Sequence, residues 1–309
     1  EFTFYLPALK AFCGAEVVSH TLHNLYTLRG AKVRDAQAWS AYIEEARNLF
    51  GEAEVYFGGH HWPVWGRERI QAFLSGQRDL YKYIHDQSVR LLNAGLTPDE
   101  IAEELELPPA LQASFSNRGY YGTVKHNARA VYQAYLGWFT GNPARLDPLP
   151  DVETARRQIA LMGGVERVVA EAERLFDEAS SAPPAEVGTS YRWIAQLLDQ
   201  AVMADPGHAQ AKALLARAYD QLGYLAESAP WRDFYLTGAY ELRHGPPQQG
   251  IAPSVMREIL LKTPVERLFD SMAVNLDGPA AQEKRLSVKI HFTDRDSNHL
   301  LRLENAVLR

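Results

Sequence analysis

Hydrophobic and polar positions change period several times along the chain. Between Ala36 and Leu49, the apolar residues Trp39, Tyr42, Ile43, Ala46 and Leu49 recur at three- and four-residue steps. That period gives one apolar face and predicts a helix ended by Gly51. Glu54-Val55-Tyr56-Phe57 is a short apolar run stopped by Gly58-Gly59 and predicts a buried strand. Helical periodicity returns over Arg67 to Asn93. Thr97-Pro98-Asp99-Glu100 then reads as a helix start, with a Thr cap, Pro at the first position and Glu at the third. A further helix is expected over Arg129 to Phe139, closed by Gly141-Asn142-Pro143. Helix follows helix from Val152 to about Leu242, with turns at Met162-Gly163-Gly164 and Asp205-Pro206-Gly207. The small Ala positions around that Asp-Pro break resemble a tetratricopeptide-like hairpin, without three clean repeats. The composition of SSAPPAEVGTS (180–190) predicts a surface loop. Near the start, Phe4 to Leu9 is a short apolar stretch and Ala15 to Leu28 alternates in a helix-like way.

His244-Gly245-Pro246-Pro247-Gln248-Gln249-Gly250 is the clearest domain boundary. Beyond it, a helix around Thr263 to Met272 and strands at Leu286 to Phe292 and Leu300 to Leu303 read as the opening of an α+β unit. Two or three strands do not make an independently stable sheet, so this unit is very small or incomplete.

Composition narrows the function classes. The net charge is -6 over 309 residues with both signs mixed, so nothing reads as a basic nucleic-acid surface. A small anionic substrate stays compatible, because a site can be locally positive in an acidic protein. No apolar run is long enough for a membrane span. The chain starts Glu1-Phe2-Thr3, without Met or a basic leader, and is expected to be a fragment or a processed product. A single cysteine, Cys13, excludes an internal disulfide and reads as a core residue before a nucleophile.

Three clusters carry candidate chemistry. His60-His61 follows the predicted strand on a Gly-loosened turn, so an imidazole from either residue reaches a site at the strand's carboxyl end; neutral imidazole is the commonest metal ligand. In Ser19-His20-Thr21-Leu22-His23-Asn24, His20 and His23 are three apart and share a face if the segment is helical. Glu16 would share that face, and a carboxylate with two imidazoles suits zinc. Arg29 follows as a planar fork for an oxyanion. Arg118-Gly119-Tyr120-Tyr121-Gly122 brings two phenols, either of which is able to donate to an anionic oxygen; a packed corner is the plainer reading.

The segments HTLHNLYTLRGAKVRD (20–35), GGHHWPVWG (58–66), GQRDLYKYIHDQ (76–87), RGYYGTVKHNARAVYQAYLGWFTGNPARL (118–146), MGG (162–164) and PWRDFYLTGAYELR (230–243) together resemble the zinc-dependent alkylsulfatase family of the metallo-β-lactamase superfamily. The resemblance implies a mixed fold: 1–95 as the C-terminal part of an αββα metallo-hydrolase domain, 96–244 as an all-α dimerisation domain, and 251–309 as a partial domain like sterol carrier protein 2. It implies hydrolysis of alkyl sulfate esters such as dodecyl sulfate by two zinc ions in the parent protein. The family's HxHxDH motif occurs nowhere in this chain and is expected upstream, with a further carboxylate ligand. By the same resemblance Glu16 and His61 are metal ligands, Asn24 and Arg29 bind the sulfate group, His23 protonates the departing sulfate, and Tyr120 or Tyr121 closes the pocket. A homodimer and an alkyl sulfate are the implied partners, and a periplasmic or secreted location is favoured over a cytoplasmic one. Two departures stand out: the SSAPPAEVGTS stretch resembles an insertion, and Gly14-Ala15 stands where the family commonly has Met-Ala. The competing readings are a non-catalytic module that dimerises and binds an apolar ligand, and a helical-repeat adaptor.

Overall fold

The computed structural model describes residues 2–248, 250 and 253–309. Gln249 of the expected boundary and Ile251, the expected start of the last domain, lie outside them. Contacts divide the chain into two compact units, 1–245 and 246–309.

The first unit begins with a four-stranded sheet of β1 (Phe4–Leu6), β2 (Ala11–Cys13), β3 (Val55–Phe57) and β4 (Val64–Trp65). The central pair β2–β3 is parallel, with Cys13 opposite Phe57, and both edge strands are antiparallel. A parallel pair needs a crossover, and α1 (Ala36–Leu49) is its helix. Asp35 caps α1 by accepting from the Ala38 amide, and Trp39, Ile43 and Ala46 are buried as the periodicity predicts. The long helix α2 (Arg67–Asn93) packs beside it. Its buried face runs through Ile70, Leu74, Gln77, Tyr81, Ile84 and Leu91 at helical spacing. Trp39 stacks on Tyr81 with ring centroids 4.7 Å apart, which joins the two helices at the centre of the core. Such a pair contributes about 0.5–1.5 kcal/mol beyond its buried area.

The rest of the unit is helical: α3 (Pro98–Glu104), the short α4 (Pro109–Gln112), α5 (Val124–Leu136), α6 (Asp151–Leu161), α7 (Val165–Ser180), α8 (Pro184–Ala204), α9 (Ala209–Leu225) and α10 (Ala229–His244). The capping box of Thr97 and Glu100 forms as the sequence predicts. Small residues let the later helices approach closely: Ala201, Ala211 and Ala218 are fully buried. A Cβ on Gly223 would stand 2.7 Å from the Leu236 side chain, so α9 and α10 pack with no room there. No helix among the described residues is long and apolar enough to cross a membrane.

Four expectations need correction. The stretch 15–28 is not helical, because its backbone groups pair with distant partners. Leu22 N–H donates to the Arg118 carbonyl at 3.1 Å, and the Leu22 carbonyl accepts from Gly122 N–H at 2.7 Å. The helix expected over 129–139 starts earlier, at Val124, where Thr123 caps the His126 amide, and it stops at Gly137, whose φ of 72° only glycine adopts freely. Of residues 180–190 only 181–183 form a turn: Pro183-Pro184 opens α8, since proline fits a helix's first turn, and the buried Tyr191, Ile194 and Leu198 anchor the helix that follows. The helix expected over 263–272 spans Val265–Val274.

The second unit holds α11 (Pro253–Lys262), α12 (Val265–Val274), the short α13 (Gly278–Ala281) and an antiparallel meander of β5 (Leu286–Phe292), β6 (Ser297–Glu304) and β7 (Val307–Leu308). Its sheet has three strands.

Candidate functional site

Strands β2 and β3 run in parallel and end level with one another, so the segments that leave them emerge side by side. Ligands in such sheets sit beyond the carboxyl ends of the strands. Gly14 N–H donates to the Phe57 carbonyl at 2.9 Å, and Gly59 N–H donates to the Ala15 carbonyl at 2.9 Å. These two bonds lace the turn that carries Glu16 to the turn that carries His60 and His61. The lacing depends on glycine. A Cβ on Gly14 would lie 2.5 Å from the Tyr56 ring, and one on Gly58 would lie 2.9 Å from the Ala15 carbonyl oxygen. The Tyr56 ring is buried and its hydroxyl donates to the Val18 carbonyl, so it has no alternative place. Any side chain at position 14 would compete with this ring for one volume. Gly14→Ala is expected to lower unfolding free energy by about 1–3 kcal/mol through overpacking, read by chemical denaturation. Wild-type stability in that variant would contradict this account of the turn.

Ala15 and His61 adopt left-handed backbone conformations, with φ of 47° and 65°. Non-glycine residues hold such angles at a cost of about 1–3 kcal/mol, and they cluster where a side chain must be aimed. Here Ala15 precedes Glu16 and His61 follows His60, on the two turns where a carboxylate meets imidazoles. His60 Nε2 lies 2.6 Å from Glu16 Oε1, and His23 Nε2 lies 3.9 Å from Glu16 Oε2. His23 Nδ1 is 2.9 Å from the Asn24 carbonyl and donates to it, which fixes the ring with Nε2 toward Glu16. Partial burial and the adjacent His60 hold the His61 imidazole below the ordinary histidine range, which favours the neutral, metal-binding form.

Glu16, Ser19, Thr21, His23, Arg29, Arg34, His60, His61, Tyr120 and Tyr121 line one cavity of about 570 Å³. Six of the seven residues expected at the site meet there. The exception is Asn24, which is buried and contributes through its backbone: its carbonyl also accepts from Arg34 at 3.0 Å. Tyr121 packs against His23 with ring centroids 5.1 Å apart, while Tyr120 packs on Phe115 under the Arg118 guanidinium.

His20 does not share a face with His23. Without a helix its ring turns inward and stacks on Phe73 at 4.6 Å, and burial and His61 depress its basicity. His60 takes the place beside Glu16 that spacing had offered to His20. Arg34 is the residue that sequence reasoning missed. Its signal was a second arginine five residues after Arg29 in the same glycine-broken segment. Its guanidinium is held by the Asn24 carbonyl and by Thr27 Oγ1 at 3.3 Å. Two arginines in a cavity with one carboxylate make it suited to an oxyanion.

Zinc is the metal that the resemblance implies, and the donors present fit a share of a zinc site. One carboxylate and neighbouring imidazoles converge, but no cluster of three or more donors able to hold a metal ion exists among the described residues.

Residues 97–245 match the family model described as alkyl sulfatase dimerisation, and residues 253–309 match alkyl sulfatase C-terminal. Over all of its 309 residues the chain is 43% identical to a linear primary-alkylsulfatase of Pseudomonas sp., covering 44% of that protein. It is 42% identical to an alkyl/aryl-sulfatase of Saccharomyces cerevisiae, covering 46% of it. Among solved structures, a stereoselective inverting sec-alkylsulfatase from Pseudomonas sp. superposes with a TM-score of 0.91 at 38% identity, over 99% of this chain and 47% of that one. The chain thus spans less than half the length of these relatives. It belongs to the alkylsulfatase family, and it corresponds to the C-terminal portion of that family's proteins.

Proposed function

We propose that this chain is part of a zinc-dependent hydrolase that cleaves alkyl sulfate esters, such as dodecyl sulfate, to an alcohol and inorganic sulfate. The observation that supports this most is the meeting of Glu16, the His60-His61 turn and two arginines in one cavity at the carboxyl ends of parallel strands. Glu16 and His61 would hold metal, with the remaining donors supplied from outside this chain. Bound zinc would supply a hydroxide at neutral pH and a clamp for oxyanions. This chain's own residues do the rest. Arg29 and Arg34 neutralise the sulfate oxygens, whose charge repels a nucleophile. With both nitrogens protonated, and Nδ1–H still bonded to the Asn24 carbonyl, His23 would carry a proton at Nε2 for the departing group. The Tyr120 and Tyr121 hydroxyls close the cavity over the anion.

In this reading residues 1–95 are the end of an αββα metallo-hydrolase domain, 96–244 a tetratricopeptide-like dimerisation domain that makes the protein a homodimer, and 251–309 part of a domain like sterol carrier protein 2. The test uses the 309-residue chain beside the full-length protein. The full-length protein is expected to release sulfate from dodecyl sulfate. The chain alone is expected to bind zinc weakly and to release none. Stoichiometric zinc with turnover from the chain alone, or no turnover from the full-length protein, would contradict the proposal.

A further inference from the structure

The first turn of α5 grips the site loop through bonds that the proposed chemistry does not use. Asn127 is fully buried. Its Oδ1 accepts from Leu25 N–H at 2.9 Å, and its Nδ2 donates to the His23 carbonyl at 2.9 Å. The adjacent His126 is 7% exposed. Its Nε2 lies 2.6 Å from the Tyr26 carbonyl, and the Trp231 indole N–H lies 3.2 Å from its Nδ1. An indole N–H only donates, so Nδ1 carries the lone pair and the proton sits on Nε2, which donates to Tyr26. Burial holds the His126 imidazole below the ordinary histidine range, in keeping with a neutral ring that uses both nitrogens.

An irregular segment has no ladder of its own to satisfy its backbone. Residues 23, 25 and 26 therefore take their partners from α5, and α5 is fixed in turn by α10 through Trp231. Gly122 adds a close approach of the two segments, since a Cβ there would stand 2.6 Å from the His23 carbonyl oxygen. This loop presents His23, Arg29 and Arg34 to the cavity.

Resting on the function proposed above, we propose that Asn127 is a positioning residue for the sulfate-binding loop, assisted by His126 in the tautomer that Trp231 selects. The helical part of the chain thereby sets affinity for the anion as well as joining protomers. A merely structural asparagine would lower the melting temperature and leave the affinity of the folded molecules unchanged.

The experiment uses the full-length protein with Asn127→Ala, Trp231→Phe, His126→Ala and His126→Gln, assayed well below each melting temperature. KM for dodecyl sulfate and the dissociation constant of inorganic sulfate, by calorimetry, are the readouts, with metal content as the control. Losing one net hydrogen bond's worth of order predicts about a ten-fold rise in both constants for Asn127→Ala, at unchanged metal content. Trp231→Phe removes only the indole donor and raises both by a smaller factor. His126→Gln keeps a donor for Tyr26 and falls nearer to wild type than His126→Ala. Lowered melting temperatures with unchanged KM and sulfate affinity overturn the proposal. If Asn127→Ala does not fold, the Trp231 and His126 variants decide by the same readouts. A wild type that binds sulfate but does not hydrolyse the ester defeats the enzymatic reading alone, and the sulfate isotherms still judge Asn127. A wild type that binds no sulfate defeats both.

Discussion

In the full-length protein, His61→Ala is expected to lower kcat for dodecyl sulfate by more than about 100-fold while the dimer persists. The size follows from rank among the ligand's neighbours. Losing a partner that merely orients a metal ligand costs about 10–100-fold, and losing the ligand itself exceeds that. The fold's use of this imidazole is limited to edge contacts with His20 at 6.0 Å and Trp62 at 5.8 Å. His61 sits on an exposed turn, and its φ of 65° is a strain that the native structure carries. Alanine keeps the Cβ and with it the strain, so stability should change little. His60→Ala is the paired control. His60 bonds to Glu16 at 2.6 Å with a side chain 62% exposed. It orients the carboxylate, and its loss should fall within the smaller range. Equal and full activity in the His61 variant would remove that residue from the site. A larger loss at His60 than at His61 would exchange their roles.

Arg29→Ala is expected to lower kcat/KM for alkyl sulfates by about 10- to 100-fold, the worth of one charge-assisted bond to an anion. Most of the loss should fall on KM if the guanidinium holds ester and transition state alike. Melting should not move, because Arg29 is exposed and lines the cavity with no hydrogen bond or ion pair among the described residues. Arg34 differs. It is half-buried and braces the Asn24 carbonyl and Thr27, so Arg34→Ala should cost stability together with affinity. Unchanged catalytic efficiency in Arg29→Ala would place the sulfate elsewhere.

Much of this architecture is legible from local pattern. The helix over 36–49 and the strand ended by Gly58-Gly59 follow from periodicity and glycine stops, and both stand in the structure. The Thr97 capping box follows from residue chemistry within one turn. The segment 15–28 was misread for a physical reason. Its apolar residues Val18, Leu22 and Leu25 do fall at helical steps and are all buried, but its backbone is claimed by residues about a hundred positions away. Periodicity reports which side chains are buried, and says nothing of where distant amides will be found. The same non-locality separated His20 from Glu16 and put His60 there instead. Residues 180–190 show the converse: a proline pair reads as a loop by composition, yet it also suits a helix start when the next turns bury Tyr191 and Ile194. The parallel register of Cys13 and Phe57, which brings Glu16 to the His-His turn, is a pairing across more than forty residues that no local pattern encodes.

The central claim is that the Glu16 carboxylate and the His61 imidazole share a metal site. Metal content measured on purified full-length wild type, Glu16→Ala and His61→Ala, each dialysed against the same zinc buffer, tests it most directly. Both variants are expected to hold less zinc than wild type while staying folded. Wild-type zinc content in both variants would contradict the account.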